Sequence, residues 1–165
     1  DWFISAMMIT DTRGYPLEFR ATTPIRPTLV QRTLYGKDLD KFVGVELCGK
    51  ALVQQCSRKP KVILVEDARL LEVQDKTDAS LVALRRAGES VRLEAEREPQ
   101  GTGVLTPGAS SFQPIVYEGR FGNQDAEKST VALIQECAGR FDILEAFERM
   151  RAALKLLARE DSRYA

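Results

Sequence analysis

Histidine is absent from all 165 residues. Its absence removes Ser-His-Asp and Cys-His nucleophilic systems, the histidine general base and the usual catalytic zinc sites. An enzyme built on this chain would have to work with carboxylates, Lys, Arg, Tyr or Cys. Net charge is missing too, since 24 basic residues balance 24 acidic ones. That argues against a whole-molecule electrostatic hold on nucleic acid and leaves only local basic patches. The longest apolar run, Trp2 to Ile9 with Ser5 inside it, falls well short of the roughly 20 residues of a membrane-spanning helix. Membrane insertion is therefore not expected. Cysteine is scarce and odd in number, and Cys48, Cys56 and Cys137 read as reduced thiols in a cytoplasm. No cationic leader precedes Trp2. A chain opening on Asp1 is expected to have lost its own start, so no targeting signal is read from it.

What is present suits a folded domain. Apolar residues make up 44% and charged residues 29%, ordinary proportions, and the length is most economically one α+β domain over 1–165 with a sizeable core. The chain is organised around its opening hairpin. Trp2 to Ile9 reads as a strand covered on both faces. Asp11 to Gly14 is a turn, and Pro16 to Thr22 alternates, with Leu17, Phe19 and Ala21 expected inward and Glu18, Arg20 and Thr22 outward. Pro24 and Pro27 keep the next segment extended. Thr28 then caps a short helix with Leu29, Val30 and Leu34 on its inner side and Gly36 ending it.

A second helix is expected from Asp38 to Ser57, with Gly44 and Gly49 either allowing close packing on the sheet or marking a break near 44. Val62 to Val65 is a buried strand and Leu70 to Val73 a shorter one. Leu81–Arg86 and Val91–Glu96 form a further hairpin. Residues 99–111 read as a flexible loop, and Phe112 to Tyr117 as a strand that Pro114 suits to a sheet edge. Two helices close the chain, the first capped at Asp125 and ended by Gly139. The second starts at Asp142-x-x-Glu145, with Ile143, Phe147, Met150, Leu154 and Leu157 as an apolar seam. These elements predict an antiparallel, five- to six-stranded sheet with helices packed on it.

Asp11-Thr12-Arg13-Gly14-Tyr15-Pro16-Leu17, a strand ending in Asp-x-x-Gly-x-Pro-Leu, resembles the first hairpin of roadblock and longin-type domains, and the element order is nearer to longin. The resemblance implies a layered α+β fold without enzymatic activity, acting as a dimer or a platform for a partner protein.

Four groups of residues carry candidate chemistry. Asp11, Glu18, Glu66 and Asp67 have the types of a carboxylate metal site, but acidic turn residues explain them better, and no metal or cofactor is expected. Arg20, Arg26, Thr28 and Arg32 surround a helix start and form a candidate anion site, without any phosphate-loop pattern. Cys56 could gain acidity from Arg58 and Lys59, although packed helix cysteines are the simpler reading. Phe112, Ile115, Val116 and Tyr117 on the expected edge strand, and the connector Thr22 to Leu34, are candidate protein interfaces. The function expected is a non-enzymatic interaction domain, an adaptor or scaffold docking on a protein partner or a second copy in a cytoplasmic complex. The alternative is a phosphate-ligand or nucleic-acid binding protein using the basic connector.

Overall fold

The computed structural model describes residues 2–88, 101–107 and 112–160. The fold is α+β, with four helices and two sheets among the described residues. Strands β1 (Ala6–Thr10) and β2 (Pro16–Ala21) form an antiparallel pair of their own. The hairpin expected from the sequence forms, but it is a separate two-stranded sheet and not part of a larger one. Helix α1 (Leu29–Tyr35) follows. Helix α2 then runs continuously through Leu39–Phe42, Val43–Gly49 and Lys50–Gln55, and its middle segment is π-helical. The irregularity falls where Gly44 hinted at a break; the helix widens there without ending.

The main sheet is four-stranded, in the order β3 (Val62–Val65), β4 (Ser80–Arg86), β6 (Ile115–Arg120), β5 (Thr102–Leu105). It corrects the expected antiparallel, five- to six-stranded sheet on two counts: strand number, and direction, because β3 and β4 are parallel. A 3-10 segment, Ala68–Lys76, carries the chain between them and occupies the place of the expected strand Leu70 to Val73. The reason is local. Asp67 caps the segment by accepting from the Arg69 N–H, which starts a turn. Leu71 and Val73 are buried without any strand partner. The Gln74 side chain then donates to Ala79 O and accepts from Leu81 N, steering the chain directly into β4.

The Val91–Glu96 arm of the second predicted hairpin lies outside the described residues, and the neighbours of β4 are β3 and β6. Within the expected 99–111 loop, residues 102–105 are strand β5; 99–100 and 108–111 lie outside the described residues.

Helices α3 (Gln124–Ala138) and α4 (Glu145–Glu160) complete the chain. Asn123, not Asp125, caps α3, accepting from Ala126 N at 2.8 Å. Asp142 does work at the start of α4, accepting from Leu144 N at 3.1 Å and pairing with Arg86 at 3.0 Å.

Strand β4 is covered on both faces. Val82, Leu84, Leu105, Ile115 and Tyr117 meet Ile134, Ala138, Leu144 and Phe147 on one side. Leu81 and Ala83 meet Val45, Leu71 and Val73 on the other. Burial on both faces explains why β4 has no polar alternation along Leu81 to Leu84. A third cluster, Leu39, Val43 and Cys48 with Phe3, Ile25 and Phe42, seats the hairpin on α2.

Candidate protein interface on the first helix

Helix α1 is where sequence pattern and structure disagree most. Leu29, Val30, Thr33 and Leu34 lie on one face of a helix, since residues three and four apart are neighbours, and Leu29, Val30 and Leu34 were expected inward. They face solvent instead, with Leu29 83%, Val30 66% and Leu34 77% exposed, and no residue of α1 is buried. The polar side is the one turned inward. Gln31 and Arg32 are half-buried, Arg32 Nε donates to Pro27 O at 3.3 Å, and Tyr35 stacks on Phe42 with ring centroids 4.1 Å apart.

The helix is well made despite this orientation. Thr28 accepts from Gln31 N, and the Gln31 side chain accepts from Thr28 N, a reciprocal cap. Thr33 Oγ1 donates to Leu29 O at 2.9 Å, so the only hydroxyl on the outward face already has a partner.

Beside this ridge runs a shallow apolar groove lined by Ile25, Pro27, Gln31, Leu39, Phe42 and Leu47. It encloses about 20 Å³, room for the tip of one side chain and far below the roughly 300–1,000 Å³ of a small-molecule site. Its chemistry suits a protein surface.

The hairpin repeats the inversion more mildly. Met8 stands opposite Phe19 and Ala6 opposite Ala21, which makes one apolar face, yet Leu17 is 45% and Phe19 36% exposed. The inward side carries Ile9, buried, and opposite it Glu18, half-buried, while Arg20 stays exposed. Glu18 accepts from Ser57 N at 3.0 Å, Arg58 N at 3.1 Å and Arg20 Nε at 2.9 Å. The Ser57 N–H first, then Arg20, hold its carboxyl down to about 2. The far end of the hairpin is fixed by Asp11, which accepts from Arg13 and Tyr15 N–H groups, and by Gly14 O, which accepts from Arg149 at 3.2 Å.

The remaining candidates disperse. Of the proposed anion site, Arg20 is held by Glu18 and Ser57, Thr28 serves as the α1 cap, and Arg32 holds Pro27 O. Arg26 is exposed and has an interaction of its own. The carboxylates are not brought together as a metal site: Glu66 pairs with Arg151 and Asp67 with Arg69, and no metal-holding cluster occurs among the described residues. Cys56 is not acidified by Arg58 and Lys59. Burial first, and Glu18 second, push its thiol up, and its Sγ donates to Met7 Sδ at 3.6 Å.

The edge-strand interface loses its premise. Ile115, Val116 and Tyr117 lie in β6, which is paired by β4 on one side and β5 on the other; Ile115 and Tyr117 are buried. Phe112 precedes the strand. Pro114 also sits just before β6, where its carbonyl accepts from Ala87 N and its missing N–H costs the ladder nothing.

A depression of about 400 Å³ opens between the ends of β3 and β4 and helix α4, lined by Glu66, Arg85, Arg86, Glu148 and Arg151 among others. Its charges are of both signs, and Arg86 and Arg151 are already paired to Asp142 and Glu66. No family model matches this chain, and neither a curated protein nor a solved structure is significantly similar to it. No helix among the described residues is long and apolar enough to cross a membrane.

Proposed function

We propose that this chain is a non-enzymatic docking domain, an adaptor or scaffold in a cytoplasmic complex, which binds a protein through the outward face of α1. The observation that carries the reading is the inverted helix, with Leu29, Val30 and Leu34 in solvent while Gln31 and Arg32 face the protein. Single exposed apolar residues are ordinary, but an aliphatic face on a capped helix marks an interaction surface. The resemblance of the first hairpin to longin-type domains supports the same role. A phosphate or nucleic-acid ligand at the connector would require Thr28 to leave its cap and Arg20 to leave Glu18.

The test is site-specific photocross-linking from position 34 in the native cell, with position 104 on β5 as control, since Val104 is similarly exposed at 62%. Adducts to protein from position 34 and not from 104 are expected. Equal labelling from both positions, or none from 34, overturns the reading.

A further inference from the structure

We infer that α2 holds one residue more than its packing needs, and that the wide turn in Val43–Gly49 is a conformational device that absorbs it and so fixes the direction of the α1 face. Only the use of that face rests on the docking reading. The device itself is a property of the helix.

The Lys50 N–H donates to Val45 O, five residues back instead of four, so this turn takes up an additional residue. In a helix of 3.6 residues per turn, Leu39 and Cys48 would stand about two and a half turns apart, on opposite sides. Here they share one cluster with Val43, Phe3 and Ile25. Val45 and Val53 meanwhile face Leu71, Val73, Leu81 and Ala83 on the sheet side. With one residue fewer inside Val43–Gly49, a regular helix reproduces the first stripe. Leu39 and Cys48 then differ by eight positions, about 80° of rotation, and Val43 and Cys48 by four, about 40°. Phe42 and Leu47, which both line the groove, also become four apart.

What the device aims is α1. Tyr35 stacks on Phe42, ahead of the wide turn, whereas the sheet-side contacts of Val45 and Val53 lie within it and after it. If the helix stayed regular, the additional residue would rotate Leu39–Phe42 by about 100° against the half held on the sheet. Leu29, Val30 and Leu34 would turn with it. The sequence favours widening at this place, since Gly44 and Gly49 carry no Cβ where Leu70 and Val73 approach.

The experiment is deletion of Glu46, an exposed residue of the wide turn, from the full chain. The comparison is deletion of Ala132, an exposed residue of α3 between the buried Thr130 and Ile134. Removing a residue from a regular core-facing helix turns one side of the cut by about 100° against the other. The Ala132 deletion should therefore lower the urea midpoint steeply or abolish the folded baseline. The Glu46 deletion should unfold at or above the wild-type midpoint, and Cys48, 0% exposed, should stay protected from alkylation. Equal effects of the two deletions, whether both tolerated or both ruinous, overturn the inference, and so does a Cys48 opened to alkylation by loss of Glu46. Photo-adducts that wild type gives from position 34 should persist in the Glu46 deletion, and their loss from a variant of wild-type stability overturns the aiming role. A wild type without adducts fails the docking reading alone, and the midpoints and alkylation still decide whether the residue is surplus.

Discussion

Gly44 and Gly49 sit five apart in the π-helical part of α2, and replacing each with alanine should have opposite effects. Helix propensity alone favours both replacements, by about 1 kcal/mol each. Space decides between them. A Cβ at Gly44 would meet only Leu70 Cδ2, at 3.3 Å, the far end of a flexible side chain that can give by a few tenths of an ångström. A Cβ at Gly49 would lie 2.7 Å from Val73 Cγ2 and 3.0 Å from the backbone oxygen of Gly44. Val73 is buried at 4% exposure and β-branched, so its χ1 is stiff, and the Gly44 oxygen cannot move without disturbing the helix. Overpacking of this kind costs about 1–3 kcal/mol. The net expectation is Gly44→Ala neutral or stabilising by up to about 1 kcal/mol, and Gly49→Ala destabilising by up to about 2 kcal/mol. Urea unfolding with a common m-value measures both. A Gly49→Ala midpoint at or above wild type would show that α2 and the 3-10 segment are not packed this closely, and the close approach would fall with it.

Glu18 should govern part of the acid limb of stability. Its folded pKa is lowered from 4.5 to about 2, so its contribution is present above 4.5 and is lost as pH falls toward 2. Glu18→Gln should flatten that part of the stability–pH curve, and an unchanged acid limb counts against a stabilising role for the Glu18 bonds to Ser57 and Arg58. Leu81→Ala should cost about 2–5 kcal/mol, because Leu81 is 1% exposed between β4 and the α2 side of the core. Leu34→Ala should stay within about 0.5 kcal/mol in dilute solution; a larger loss in the monomer would mean that α1 packs on its own chain. Gly14→Ala should loosen the hairpin tip, since φ is +80° there and a Cβ would lie 2.7 Å from Phe141. A fall in the thermal midpoint checks this, and an unchanged midpoint refutes it.

Much of the architecture was legible because it depends on local chemistry. The Asp11–Gly14 turn, the Thr28 cap and the apolar run of β4 all formed where the residues call for them. The sheet was misread for a physical reason. Leu70-Leu71-Glu72-Val73 is too short for periodicity to separate strand from turn, and the Asp67 cap and the Gln74 side-chain bonds, which settle the matter, are not apolar signals at all. Once that segment is a crossover, β3 and β4 run parallel. Pro114 misled in a similar way: it excludes a central strand only if it stands inside one, and it stands one residue before β6. Strand β5 was hidden among Gly101, Gly103 and Pro107, where pairing with β6 outweighs weak local propensity.

The candidate site was half legible, and the missing half is informative. Periodicity correctly grouped Leu17 with Phe19, and Leu29 and Val30 with Leu34, but it says only which residues share a face. Whether the same chain covers that face is a tertiary fact. Of the twelve large hydrophobic residues exposed among those described, nine lie between Trp2 and Leu47, while the central strand β4 is buried on both faces. The hairpin keeps its place through Phe3 and Ile25 at its base, the Glu18 bonds to Ser57 and Arg58, and the Arg149 bond to Gly14 O. Those fixings, with Ile9 buried, orient the first elements and still leave Leu17, Phe19, Leu29, Val30 and Leu34 exposed. A core that closes without them, joined to a segment patterned for burial and held with that pattern outward, is the physical form expected of a docking surface.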